Sequence, residues 1–332
     1  MLRSQAFPVS EVNQIGEARR VAEGITRDLG FSPHETGIAA LIVTELGQNL
    51  VKYGQNGQLV LRKMNGADEG LEVLSLDSGP GMGDIPRSLS DGYSTSGTPG
   101  TGLGAVKRKS SLFDIYSAPS LGTAIVSRVL RAGSKPSRMP LEIGVVCVPL
   151  REQNVCGDSW AVYQDAERAV IMLVDGLGHG PDAAEASGEA VKTFDRHSNL
   201  DVATILTNVH EALRSTRGAV VAAAEVELST GKVQFSGVGN ICSRIVEWST
   251  SQHMVSLNGT AGLAAKFKVF DYDWARSGVL IMCSDGLTTH WRLSAFPGLI
   301  AAHPSLIAGI LYQNFYRGRD DVTVMAARWN QN

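Results

Sequence analysis

Twice in the C-terminal half of this 332-residue chain, a run of five apolar residues ends in an aspartate followed by glycine. Residues 170–174 lead into Asp175-Gly176, and residues 279–283 lead through Ser284 into Asp285-Gly286. Runs of that length and composition read as buried strands. A carboxylate at the end of such a strand has left water and needs a cation or hydrogen-bond donors. One Asp-Gly pair is ordinary turn chemistry. Two more acidic positions sit at strand edges, however: Asp158 ahead of residues 160–163, and Asp320-Asp321 ahead of residues 322–325. Four carboxylates that converge would offer hard oxygen ligands suited to Mg2+ or Mn2+. Two such ions can hold a hydroxide in line with a phosphoryl group.

A length of 332 residues accommodates two domains of ordinary size. The net charge of -3 excludes an electrostatic footprint for nucleic acid. Cys147, Cys156, Cys242 and Cys283 lack CxxC spacing, so neither a zinc site nor a disulfide framework is expected. No apolar run reaches the roughly 18 residues of a membrane span, and the N-terminus has no leader-like apolar segment. The expectation is a cytoplasmic protein with no membrane contact.

Residues 10–30 keep helical spacing and end at Gly30, suited to the C′ position. Ser32-Pro33-His34-Glu35 is a capping box with proline in the first turn, opening a helix that stops at Gly54. Two strands (58–64 and 71–76), a Gly-dense loop (77–104), a short helix (105–112) and a hairpin (113–117 with 123–130) follow. Helices on one face of an antiparallel sheet are expected. Residues 131–140 are basic and rich in Gly and Pro, as a linker would be. Beyond them, seven strand-like runs (143–148, 160–163, 170–174, 220–228, 233–238, 279–283, 322–328) and three helical segments (182–197, 201–214, 304–316) describe an α+β sandwich. The expected domains are residues 1–131 and 141–332, with a linker at 132–140.

In the second helix Ile38, Leu41, Ile42 and Leu46 mark an apolar face, and Glu45 and Asn49 fall in its middle. Polar groups there need polar partners. Two Gly clusters follow. Residues 76–84 (LDSGPGMGD) put Asp77 at a strand end before Gly79 and Gly81, and residues 98–110 (TPGTGLGAVKRKS) put Gly102 and Gly104 at a helix start. Glycines let backbone approach phosphates, and a helix N-terminus supplies N–H donors.

TELGQNLVKYG, DSGPGMGD, GTGLGAVKR and Gly122-Thr123, in that order, resemble the motif series of the GHKL ATPase superfamily. The compact form resembles the RsbT-like serine kinases and anti-sigma factors of partner-switching systems. The resemblance implies a Bergerat-type α/β sandwich that binds ATP and Mg2+. Asn49 would meet Mg2+ and Asp77 the adenine amino group. Gly79, Gly81, Gly102, Gly104 and Thr123 would line the nucleotide, and Glu45 would be the general base for a substrate serine. This fold also binds ATP in proteins that phosphorylate nothing.

The second series, GD…DGLGHG…SDG…DDVTV, resembles the metal-dependent type 2C protein phosphatases of the SpoIIE-type and RsbX-like branch. It implies an α-β-β-α sandwich. Two Mn2+ or Mg2+ would be held by Asp158, Asp175, the Gly176 carbonyl, Asp285 and Asp320, the first acid of its pair, with His179 as a phosphate contact or proton donor. The two resemblances imply a bifunctional serine kinase and serine/threonine phosphatase. Its partners would be STAS-domain antagonists of stressosome type, and a sigma factor in the same pathway. The alternative is a phosphatase controlled by an ATP-dependent docking module that is not itself catalytic.

Overall fold

The computed structural model describes residues 4–89, 102–134, 139–151 and 153–330. The chain divides into two compact units. One comprises Leu2–Ser137 with Ala295–Gln313, and the other Arg138–Ser294 with Asn314–Asn332.

The N-terminal portion carries β1 (Ser4–Pro8), α1 (Val12–Asp28), α2 (Pro33–Tyr53), β2 (Gln58–Met64), β3 (Gly70–Asp77), α3 (Ile85–Ser88), α4 (Gly102–Lys109), β4 (Leu112–Ser117) and β5 (Thr123–Leu130). Its sheet runs β1-β2-β3-β5-β4 with antiparallel pairing throughout. The edge strand β1 has no mark in the sequence pattern; SQAFP is too short and mixed to stand out, and only pairing with β2 makes it a strand. Helix α2 begins as its capping box dictates, with Ser32 Oγ accepting from the Glu35 N–H and the Glu35 carboxylate accepting from the Ser32 N–H. Gly30 follows α1 with φ of +73°, the left-handed conformation a C′ glycine supplies. Ile15, Ala22, Ile42, Val43 and Leu46 of the two helices pack on Leu59, Leu61, Leu71, Val73 and Ile125 of the sheet.

The opposite face of that sheet is covered as well, which corrects the expectation of helices on one side only. The sequence places the covering helix, α7 (Pro304–Phe315), far beyond the last strand of the sheet, which ends at Leu130, so its segment falls in the second expected domain. Residues 304–312 of α7 are all buried. Gly309 brings its backbone onto β3, where an added Cβ would lie 2.9 Å from a methyl carbon of Leu76. On the same face Glu72, fully buried, accepts from Arg62 Nη2 at 2.8 Å, Arg128 Nε at 2.7 Å and Ser305 Oγ at 2.9 Å. Burial alone would raise the Glu72 carboxyl, but Arg62, then Arg128 and His303, hold it well below the usual carboxylate range. Removing one member of such a buried cluster costs about 3–5 kcal/mol, because uncompensated charge stays behind.

The other portion carries β6 (Leu141–Val148), β7 (Asp158–Gln164), β8 (Arg168–Gly176), α5 (Pro181–His197), α6 (Val202–Ala212), β9 (Ala219–Glu227), β10 (Lys232–Val238), β11 (Cys242–Val246), β12 (Ser251–Met254), β13 (Phe270–Asp273), β14 (Val279–Cys283) and β15 (Val322–Trp329). Two five-stranded sheets form, ordered β13-β10-β9-β8-β7 and β12-β11-β14-β15-β6. Leu173, Ala222 and Phe235 of the first meet Val145, Leu280, Met282 and Met325 of the second in the core between them. On the outer face of the first sheet, Val170, Met172 and Val221 pack against Ala186, Phe194, Ile205 and Val209 of α5 and α6. Strands β11, β12 and β13 are additional to the seven expected, being short and, in β12 and β13, largely polar. Among the described residues no helix is long and apolar enough to cross a membrane.

Candidate functional sites

The first site gathers around the C-terminal half of α2. The buried stripe of α2 is Ala39, Ala40, Ile42, Val43, Leu46, Gly47 and Leu50, while Leu41 is 39% exposed. Glu45 and Asn49 are half-buried at the flank of that stripe rather than in its middle, a correction that follows from the helix turning Leu41 outward. Gly102 opens α4 directly opposite Glu45: an added Cβ would meet the carboxylate at 2.7 Å. Gly104, two residues further on, is buried. Among the described residues the enclosed Asn49 side-chain nitrogen has no hydrogen-bond partner, where the resemblance expects a ligand.

Asp77 ends β3 opposite Thr123 at the start of β5. Burial raises its carboxyl, and bonds from the backbone N–H groups of Gly79, at 2.7 Å, and Thr123 oppose the shift. Three glycines shape this corner. A Cβ on Gly79 would meet Asp77 Oδ1 at 2.7 Å, one on Gly81 would meet the Ala118 carbonyl oxygen at 2.1 Å, and one on Gly122 would meet the Asp77 carbonyl oxygen at 1.9 Å. Gly81 and Gly122 also have φ of +73° and +81°. These glycines let the chain fold tightly onto its own backbone around Asp77, and the groups that suit a nucleotide here are the Asp77 acceptor and the Asn49 amide. The part of the second Gly cluster at residues 98–101 lies outside the described residues, as do residues 135–138 of the linker.

The second site is built by strand ends. Asp158 opens β7 and pairs in register with Asp175 at the end of β8. Asp285 follows β14, and Asp320 precedes β15, its neighbour in the other sheet. Gly176 must be glycine, since a Cβ would lie 2.2 Å from the Ala183 carbonyl oxygen where α5 crosses. Burial first, then repulsion from Asp158, Asp285 and Asp320, pushes Asp175 up to about 9. Burial first, offset in part by Ser284 and Thr323 and augmented by Asp321 and Asp320, pushes Asp158 up to about 7. Asp320 is raised too, by burial first, with His179 close enough to oppose the shift. His179 itself is exposed on the β8–α5 loop. Among the described residues none of the four aspartates is ion-paired to Lys or Arg, and no group of three or more acidic, His or Cys side chains stands ready-made around an ion. The donor set nonetheless fits one. All-oxygen, mutually repelling and unneutralised, it is the chemistry a hard dication relieves.

Sequence reasoning missed the residues that hold these carboxylates. Ser284 Oγ donates to Asp158 Oδ2 at 2.6 Å and accepts from the Thr323 N–H at 2.9 Å. Asn240 Nδ2 donates to Asp285 Oδ2 at 2.7 Å. Asp321, 3% exposed, accepts from the Leu150 and Gly157 N–H groups with its two oxygens, at 2.8 and 2.7 Å. Both of its oxygens are thus occupied in tethering the approach to Asp158, whereas Asp320 uses only Oδ1, on the Asp321 N–H. Ser284 had a signal in its place between strand and Asp285; Asn240 and the role of Asp321 had none, since both depend on pairing distant in sequence.

The raised carboxyls set a pH dependence. Between about pH 4, the ordinary aspartate value, and their folded values, Asp158 and Asp175 bind more protons folded than unfolded. Their contribution to stability is therefore full below pH 4 and is lost as pH rises through 7 and then 9. The thermal midpoint of metal-free protein is expected to fall between pH 5 and pH 9, and added Mn2+ should restore it most at the alkaline end. A midpoint independent of Mn2+ across that range would contradict the carboxylate cluster.

Two family models match separate parts of the chain. The family model for stage II sporulation protein E matches residues 165–330, and that for the histidine kinase-like ATPase domain matches residues 9–126. The serine/threonine-protein kinase RsbT of Bacillus subtilis (strain 168) is 33% identical over 109 residues, covering 32% of this chain and 82% of that protein. Among solved structures, the chain is similar to one from work on the bacterial stressosome as a modular system adapted to control secondary messenger signalling, with 26% identity and a TM-score of 0.53, covering 57% of this chain and 99% of that one. It is also similar in fold to RsbX in complex with magnesium, with 20% identity and a TM-score of 0.52, covering 59% of this chain and 98% of that one.

Proposed function

The chain belongs to the stage II sporulation protein E family, with an RsbT-like ATPase domain ahead of the family domain, and on that premise we propose a partner-switching regulator that both adds and removes phosphate on serine side chains of STAS-domain proteins. The observation that carries the phosphatase half is the placement of four aspartates at strand ends, without a Lys or Arg partner among the described residues and with Asp158, Asp285 and Asp320 near enough to raise the Asp175 carboxyl. Asp158, Asp175, Asp285, Asp320 and the Gly176 carbonyl would hold divalent ions. Bound there, such ions supply a hydroxide nucleophile at neutral pH and neutralise charge on the phosphoryl oxygens. The chain's own part is to hold the carboxylates: Ser284 fixes Asp158, Asn240 fixes Asp285, and Asp321 anchors the backbone on either side of the Cys156 turn. His179, exposed beside Asp320, would give a proton to the departing serine oxygen.

In the ATPase domain Asp77 would accept from the adenine amino group, and Asn49 would meet the Mg2+ that accompanies ATP. Glu45, facing the open Gly102 backbone, would take the proton of an incoming serine hydroxyl. Support for transfer rather than binding alone is the kinase name of the RsbT relative, together with the half-buried Glu45 carboxylate opposite Gly102.

The test uses the Asp175→Asn variant, so that product is not erased. The variant is mixed with labelled Mg-ATP and a purified STAS-domain protein, and label on a serine of that protein is the expected result. ATP binding without transfer to any STAS protein tried would leave the first domain a nucleotide-gated docking module, overturning the kinase half and leaving the phosphatase half standing.

A further inference from the structure

All four cysteines of the chain fall into two pairs, and one member of each pair lies two residues before a proposed metal ligand. Cys147 and Cys156 approach to 3.7 Å between sulfurs, with Cys156 ahead of Asp158. Cys242 and Cys283 are register partners on β11 and β14, with Cys283 ahead of Asp285, and the Cys283 thiol reaches the Cys242 carbonyl at 3.6 Å. The pairs differ in access. Cys147 and Cys156 are at most 1% exposed, whereas Cys242 is partly exposed and only Cys283 is fully buried.

The surroundings of Cys242 distinguish it further. Ile245, Leu280 and Met282 point into the core between the sheets, so Cys242, Arg244 and Cys283 share the outer face of their sheet. Arg244 is only 8% exposed and has no carboxylate partner among the described residues. Two of its donors reach the carbonyls of Thr289 and Trp291, its Cζ lies 4.3 Å from the centroid of the Trp291 ring, and among the described residues its Nε–H has no hydrogen-bond partner. A buried guanidinium without a counter-charge favours an anion beside it. The nearest candidate two residues along the same strand face is the Cys242 sulfur. The Cys283 thiol first, and Arg244 after it, bring the Cys242 thiol down to about 6.

We propose that Cys242 is a peroxide-reactive thiol, with Cys283 as its resolving partner, and that the disulfide they form shuts down the adjacent metal site. In the first step the Cys242 thiolate attacks one oxygen of hydrogen peroxide. The O–O bond breaks, Cys242 becomes a sulfenic acid, and the departing hydroxide takes a proton to leave as water. In the second step the Cys283 sulfur attacks the sulfenic sulfur, an S–S bond forms, and the displaced hydroxyl leaves with the Cys283 proton as a second water. Two thiols are oxidised and one peroxide is reduced to two waters. Directly opposed residues of an antiparallel pair have Cα atoms about 4.5–5.5 Å apart, inside the roughly 4.4–6.8 Å span a disulfide needs.

The consequence follows from position. Cys242 opens β11 and Cys283 closes β14, so this pair is the last rung of the ladder before the site. Immediately beyond it, Asn240 spans the same gap to hold Asp285, and Ser284 holds Asp158. A covalent link re-aims the Cys283 side chain, the immediate neighbour of Ser284, and resets the β11–β14 separation that the Asn240–Asp285 hydrogen bond bridges. Losing such outer partners typically costs about 10–100-fold in metal affinity or activity.

The test starts from reduced, metal-free, full-length protein. It is treated with a small excess of hydrogen peroxide, cleared with catalase, alkylated, digested and analysed by mass, while a parallel portion is reloaded with Mn2+. The expected results are a peptide pair joined through Cys242 and Cys283, with Cys147 and Cys156 recovered as thiols, and a drop of at least about tenfold in Mn2+ affinity by calorimetry. Dithiothreitol should reverse both, and Cys242→Ser should prevent both while leaving untreated Mn2+ binding intact. Linkage at Cys147–Cys156 instead, no linkage, or a Cys242–Cys283 link that leaves Mn2+ affinity unchanged would each overturn the proposal. Turnover of a phosphoserine protein, the readout that rests on the phosphatase reading, should fall in step. If reduced protein has no such turnover, that reading fails while the mass and calorimetric results still decide this one.

Discussion

Replacing Asp175 by Asn is expected to abolish Mn2+-dependent removal of phosphate from a phosphoserine protein while leaving ATP binding by the other domain unchanged. The residue sits at the end of β8 in register with Asp158, and it is the carboxyl most displaced from its ordinary range within this cluster, by burial and by its acidic neighbours. An amide keeps the shape and removes the charge, so the variant should fold, and by relieving repulsion it should be at least as stable as the parent without metal. Loss of outer-shell partners alone reduces metal affinity by about 10–100-fold, so loss of a ligand should exceed about 100-fold in turnover at fixed Mn2+. The measurements are phosphate release against Mn2+ concentration and, as a control, nucleotide binding by calorimetry. Retained turnover at ordinary Mn2+ would remove Asp175 from the ligand set. Turnover recovered only at much higher Mn2+ would place the defect in affinity, as the assignment requires.

Glu45→Gln is the second large effect. Glu45 lies opposite Gly102 with space that a single Cβ would close, and Asn49 follows one turn later with an enclosed, unsatisfied amide nitrogen. If Glu45 takes the proton of a serine hydroxyl, the glutamine variant should bind ATP as before and transfer phosphate about 10²–10⁴-fold more slowly, the usual contribution of a general base. The assay is label transfer in the Asp175→Asn background, measured as an initial rate. Equal rates with Glu and Gln would sink the role of Glu45 as base even if transfer itself were seen. Loss of ATP binding would show instead that its carboxylate serves nucleotide affinity, and the two outcomes are separated by calorimetry on the same preparation.

Much of the fold and of both sites is legible along the chain, for physical reasons that are local. The capping box at Ser32, the left-handed Gly30 and the strands that run into Asp77, Asp175 and Asp285 are each specified within a few residues. The glycines at 79, 81, 122 and 176 are legible as flexible points, but the reason each must be glycine is a contact with another segment. Strands β1, β11, β12 and β13 are not legible, because a short strand with a polar face is defined by its pairing partner rather than by its own pattern.

The sequence by itself determined where charge would be stranded at the ends of apolar strands and where backbone could approach a phosphate. Those are properties of neighbours along the chain. The tertiary structure alone decided which side chains hold the carboxylates, and that Asp321 is tied to two backbone N–H groups while Asp320 keeps an oxygen free. It alone decided that α7 covers the second face of the first sheet, with Ser305 completing the buried cluster at Glu72. It alone brought the four cysteines into pairs beside the acidic cluster. Each of these rests on a contact between residues far apart in sequence, where short-range patterns carry no information about which partner will satisfy a buried polar group.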